Sequence, residues 1–148
     1  MNVEEVIKTN KKMPLAKRTL IHVALVANKL DEEVSAVLKP FDISIQQFNV
    51  LRILRGQNGK PANLSTINDR MVTKMSNTTR LVDKLILKNF VNRTICLKNR
   101  RKVEIIITEA GLNFLNEIDG ILFEAEKKIL KNFSDAELHE LNELLNKF

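Results

Sequence analysis

The side chains best able to do chemistry in this 148-residue chain are cations, and they are concentrated. Residues 64–102 carry ten Lys or Arg against two carboxylates, Asp69 and Asp83. Four of those cations, Lys98, Arg100, Arg101 and Lys102, fall within five residues around Asn99. Upstream lies a run of short hydrogen-bonding residues, Ser76, Asn77, Thr78 and Thr79, followed by Arg80, Lys84 and Lys88. Asn77, Arg80, Lys84 and Lys88 stand at i, i+3, i+7 and i+11, which on a helix makes one polar ridge. Short hydroxyl and amide groups at a helix start suit base edges and phosphates in a major groove. Arg80 can bond guanine or phosphate, while Lys84 and Lys88 sit further back and are placed to hold phosphate. Arg100 and Arg101 suit an adjacent minor groove, where narrow A·T-rich DNA concentrates negative potential. Arg93 can reach phosphate or anchor its strand by an internal ion pair, and both options stay open. The bland alternative is a solvated hairpin beside a core helix with exposed cations.

The remaining reactive residue types offer less. A single cysteine, Cys96, excludes an intramolecular disulfide and a multi-cysteine zinc site, and fits a reducing, intracellular location. Neighbouring Lys98 and Arg100 can lower a thiol pKa, so a redox-sensing role stands as the alternative to an inert strand cysteine. His22, among apolar residues, reads as a packed or interface histidine. His139 and Glu143 stand at i, i+4 but lack a third metal ligand, and Asp31-Glu32-Glu33 reads as a solvent face. There is no Gly-rich phosphate loop and no paired nucleophile and base, so an enzyme is not expected, nor a cofactor. Aromatics amount to 5%, all Phe, a poor basis for a base-stacking platform.

The elements that must hold the cations follow from periodicity. Residues 17–38 form a long apolar-periodic helix ended by Pro40, with a stripe wide enough to be buried on more than one side. Ser44 caps a helix over 45–55, residues 56–61 make a loop, and a short helix spans 64–71. Ser76 caps the cation-bearing helix, which runs to about Asn89 with Leu81, Val82, Leu85 and Ile86 inward. That pair is organised as a helix-turn-helix. The period then changes from 3.6 to 2, and residues 91–97 and 103–108 read as a hairpin. Thr108 caps a helix to about Phe133, and Ser134-Asp135-Ala136-Glu137 opens a last one with a capping box. A hydrophobic content of 44% and 28% charged residues suit one globular domain, or a domain with an oligomerisation arm. No apolar run approaches the roughly 20 residues of a membrane span. Residues 19–27 mimic a signal-peptide core, but Glu4 and Glu5 precede them and His22 interrupts them, so a cytoplasmic location is expected. The net charge of +6 resolves into +4 over residues 1–63, +8 over 64–102 and −6 over 103–148. Such a split suits a polyanion-binding module on an acidic support.

This order of elements resembles the MarR (multiple antibiotic resistance regulator) family of winged helix-turn-helix repressors, over about residues 17–148. The resemblance is sharpest at Gln47-Phe48-Asn49-Val50-Leu51, Thr79-Arg80-Leu81-Val82-Asp83-Lys84-Leu85, Val91-Asn92-Arg93, Asn99-Arg100-Arg101 and Ile107-Thr108-Glu109-Ala110-Gly111. It implies a mainly α fold with a small β-hairpin wing (α+β). Residues 41–108 would be the DNA-binding domain, and 1–40 with 109–148 the intertwined helical dimerisation arms. Recognition-helix residues Ser76, Asn77, Thr78, Thr79, Arg80, Lys84 and Lys88, and wing residues Arg93, Lys98, Asn99, Arg100 and Arg101, would contact double-stranded DNA. A homodimer would place two recognition helices about one DNA turn apart, on half-sites roughly 10 bp apart. The family's default is repression, often released by a small aromatic or amphipathic anion bound between arms and winged module. Its lining would include residues of the first helix and from Phe48 onward. Two departures stand out. Asn89 replaces the usual glycine after the recognition helix, and as the next best residue for a left-handed turn it should preserve that turn. Asn99 replaces the usual aspartate at the wing tip, which removes an ion pair and leaves wing geometry less defined. A winged-helix protein-interaction module that does not read DNA is the remaining alternative.

Overall fold

Most helices of this chain begin where a side chain satisfies a backbone N–H that the helix itself leaves orphaned. Ser44 and Ser134 each build a reciprocal capping box, with Gln47 and Glu137. The Asn63 side chain accepts from Thr66 N at 2.8 Å, and the Thr108 hydroxyl accepts from Gly111 N at 3.0 Å. The computed structural model describes residues 1–73, 77–95 and 103–148. Among them the order is α1 (Val3–Val6), α2 (Leu15–Leu38), α3 (Ile45–Arg55), α4 (Leu64–Arg70), α5 (Thr78–Leu87), β1 (Val91–Ile95), β2 (Val103–Ile107), α6 (Glu109–Leu130) and α7 (Asp135–Leu145). The fold is mainly helical with one antiparallel hairpin, as the periodicity predicts.

Several details depart from the sequence expectation. Helix α1 has no periodic signature, because four residues are too few to show one. It is held to α2 by Arg18, which donates to both carboxylate oxygens of Glu4 at 2.8 and 3.2 Å, and by the fully buried Val3. Helix α5 begins at Thr78 with Asn77 in the cap position, and the Asn77 side chain makes no capping bond. The expected cap, Ser76, lies outside the described residues. Beyond Leu87 the chain turns at Asn89 with φ 59°, the left-handed conformation anticipated there.

One core unites the middle of the chain. Leu51 and Leu54 of α3, Ile67 of α4, Val82 and Leu85 of α5, Val91 of β1 and Ile105 of β2 are buried together. Phe114, Leu115, Ile118 and Leu122 of α6 join them, as does Leu38 at the end of α2. β1 and β2 pair from Val91↔Ile107 to Ile95↔Val103. Ala62, just after the 56–61 loop, adds a third edge by exchanging two hydrogen bonds with Ile105, at 2.8 and 2.7 Å. This bridge fixes the hairpin against the start of α4.

The outer helices are different. The α2 stripe was expected to be buried on more than one side. Within this chain only Leu38 of α2 is buried, and Leu20 is 61% exposed. α7 buries no residue at all, with Leu144 51% and Leu145 46% exposed. No helix among the described residues is long and apolar enough to cross a membrane.

Candidate nucleic-acid interface

Helix α5 is amphipathic in the way its position requires. Val82 and Leu85 enter the core, and Leu81 and Ile86 are half-buried beside them. Asn77, Thr79, Arg80 and Lys84 are exposed on the other side. Among the described residues, neither Arg80 nor Lys84 is engaged in an ion pair, so both cations remain available to an incoming polyanion. Leu87 extends the same ridge at i+7 from Arg80 and is 83% exposed, an apolar position the charge pattern did not single out.

Three residues expected to meet DNA are instead engaged within the protein. Thr78 is buried, and its hydroxyl donates to Asn68 Oδ1 at 3.1 Å, joining the start of α5 to α4. A threonine on the inward side of the first turn cannot also face a groove, which corrects its assignment. Lys88 Nζ donates to Asp42 Oδ2 at 2.7 Å. That hydrogen bond, followed by the Lys88 charge and the more distant Lys84, holds the Asp42 carboxyl below its ordinary range. Asp42 follows a 3₁₀ turn (Lys39–Phe41) and adopts φ 53°, which aims it at the end of α5. Arg93 donates to Asp83 Oδ1 at 2.7 Å, so of its two options the internal ion pair is the one formed. That bond ties β1 to the middle of α5.

Asn68, Asp42 and Asp83 were thus missed as partners. Nothing local could have revealed Asp42, which lies 46 residues from Lys88. Asp83 and Arg93, ten residues apart across a turn, were within reach of a hairpin-to-helix argument. Ser76, Lys98, Asn99, Arg100 and Arg101 lie outside the described residues, as does Cys96.

The other candidates resolve simply. Phe48 is a core residue with the Arg52 guanidinium 5.7 Å above its ring, so it does not line an open cleft in this chain. Among the described residues, no three of His, Cys, Asp and Glu come together as a metal site.

A two-helix unit with an exposed polar ridge, backed by an antiparallel hairpin, defines a winged helix-turn-helix of the DNA-binding regulator class. Residues 43–103 match the family model described as the MarR family. The HTH-type transcriptional regulator PecS of Dickeya dadantii is 30% identical, over 87% of this chain and 76% of its own length. A MarR transcription factor from Planctomyces limnophilus superposes with a TM-score of 0.72 at 28% identity, covering 93% of this chain and all of that one. The fold also matches an organohalide-sensing regulator, RdhR-CbdbA1625, solved with 2,4-dichlorophenol bound, at a TM-score of 0.82 and 18% identity. That match covers 92% of this chain and 80% of the other. The chain belongs to the MarR family and is a DNA-binding transcriptional regulator. The family is one of transcriptional regulators, not of enzymes.

Proposed function

We propose that this regulator acts as a homodimer that binds a pseudo-palindromic operator and represses the adjoining genes. The observation that carries the dimer is surface left without a partner. A compact monomer of 17.0 kDa exposes about 7,700 Å², whereas this chain exposes 11056 Å². The surplus is more than enough for one side of an obligate interface of about 2,000–5,000 Å². Much of its apolar part lies on the arms, where Leu20, Val23, Val26 and Leu30 of α2 and Leu141, Leu144 and Leu145 of α7 stay exposed. Residues 1–40 and 109–148 are accordingly the dimerisation region and 41–108 the DNA-binding domain, with the first half of α6 shared between them.

Arg80, Asn77 and Thr79 enter the major groove with Ser76, Lys84 holds phosphate beside it, and Lys98, Asn99, Arg100 and Arg101 reach toward the flanking minor groove. Lys88 and Arg93 contribute positive potential and hold the reading helix in place. A small aromatic or amphipathic ligand releases the DNA by favouring a different separation of the two heads. The dichlorophenol bound by the structural relative supports that ligand class. The protein works in the cytoplasm, where its operators are.

The test is to recover and sequence the DNA fragments that the purified chain retains, and to measure its mass in solution. A dimer of about twice 17.0 kDa, with binding that falls steeply as salt rises, is expected. A monomeric mass, or equal affinity for retained and random duplex, overturns the reading.

A further inference from the structure

The segment Ile107-Thr108-Glu109-Ala110-Gly111 joins the turn that ends the reading helix to the start of α6. The Thr108 hydroxyl works in two directions at once. It accepts from Gly111 N at 3.0 Å, capping α6, and donates to the Asn89 carbonyl at 2.7 Å, in the turn that ends α5. The Thr108 backbone N–H donates to the Phe90 carbonyl at 3.0 Å. Gly111 makes this closeness possible, because a Cβ there would overlap the Phe90 carbonyl oxygen and crowd Ile107. Asn89, at φ 59°, turns its carbonyl toward α6, and the turn is closed by Phe90 N donating to Leu85 O at 3.0 Å. Above it the Phe90 ring stacks on Phe114 of α6 at 4.8 Å, and Phe41 meets Phe114 edge-on at 5.7 Å.

Three other pins on the reading helix among the described residues stay inside the head. Thr78 bonds α4, Arg93 bonds α5 from β1, and Lys88 bonds the turn before α3. Farther along α6, Asp119 accepts two bonds from Arg55 of α3, at 2.5 and 3.3 Å. Among the described residues, hydrogen bonds thus fasten the head to α6 at two points beside the shared core, one of them at the exit of the reading helix.

We infer that Thr108 and Gly111 are positioning residues for DNA recognition, welding the end of α5 to the start of α6. The separation of two reading helices in a dimer is then set by the arms and not by a loose hinge. The inference rests on the dimeric DNA-reading function proposed above.

The experiment uses the full chain and a duplex that the wild-type protein selects from a random pool. Affinity is measured for that duplex and for versions with the half-sites one base pair closer and one farther. Wild type and Thr108→Ser should favour the selected spacing. Thr108→Val keeps the branched shape but loses both hydroxyl bonds, and its preference for that spacing should fall about fivefold, the worth of a hydrogen bond between neutral groups. Gly111→Ala should blur the spacing further if it folds, and Thr108→Val carries the test if it does not. A Thr108→Val protein that loses affinity equally on all three duplexes, with a lowered melting midpoint, would show a mere helix cap and overturn the inference. A wild-type protein that selects a sequence but tolerates any spacing overturns the joint and leaves DNA reading intact. One that selects no sequence overturns both.

Discussion

The head, from α3 to β2, and the arms, formed by α2, the outer half of α6 and α7, are built from equally good local parts. Ser44 begins α3 and Ser134 begins α7 with the same capping box. Yet Leu51, Ile67, Val82 and Ile105 of the head are fully buried, while α7 buries nothing and α2 buries only Leu38. The head closes a core of its own beneath a largely polar ridge, with Val72, Leu87 and Ile95 left exposed on its surface, whereas α7 leaves all of its apolar residues and α2 most of its own outside that core. Charge follows this division in part, with the densest cations on the head and the acidic excess from β2 onward. In the proposed dimer the exposed surface of each region is the one it works with, polyanion for the head and a second copy for the arms.

The sharpest way to break that contrast is to compare equal truncations in the two regions. Leu51→Ala should cost about 3 kcal/mol, because it opens a cavity in a closed core, read from the shift in a denaturant midpoint. Leu20→Ala should leave that midpoint almost unmoved under conditions where the chain is monomeric. A comparable loss at both positions would mean that the arm is already packed within one chain. Next in size, Leu20→Glu combined with Leu144→Glu should abolish the dimer and the concentration dependence of the melting temperature. An unchanged mass by light scattering would place the interface elsewhere.

Smaller effects test the head surface and the cap of an arm helix. Arg80→Ala should cost about 2 kcal/mol of discrimination between operator and random duplex with no change in stability. A change in melting temperature instead would make Arg80 part of the scaffold. Ser134→Ala should cost about 1 kcal/mol through the lost cap, seen as fraying of α7 by hydrogen exchange. Last comes Asp42→Asn, which frees Lys88 for phosphate and should steepen the salt dependence of DNA binding by about one unit of slope. The sign of the pH effect is set by Lys88. Because its hydrogen bond lowers the Asp42 pKa from the ordinary 3.8, the stabilisation is present above 3.8 and lost as pH falls through the lowered folded value. Glu4, lowered chiefly by the hydrogen bond from Arg18, behaves in the same sense below its ordinary 4.5. Neutral-pH DNA binding should therefore not depend on the ionisation of either group.

Much of this was legible before any coordinates. Serine and threonine caps, the proline that ends α2 and the left-handed Asn89 all concern interactions within about four residues, and their types alone specify them. The polar ridge of α5 followed from the helical period. Thr78 shows where that reasoning stops, because a period says which face is polar but not which polar residue lies at its inner edge. Arg93 could not be assigned between phosphate and ion pair until the strand was placed beside Asp83. The Ala62–Ile105 bridge carried no signal, since a lone alanine after a loop has no periodicity.

The sequence by itself determined the longer elements, their approximate ends and the polar ridge of α5, because those are short-range consequences of backbone stereochemistry and hydrogen bonding. Only the tertiary structure decided which cations remain free. Lys88 meets an aspartate 46 residues away and Arg55 one 64 residues away. Such pairings depend on how the chain path returns through space, and the path is fixed by the shared core of α3, α5, the hairpin and α6.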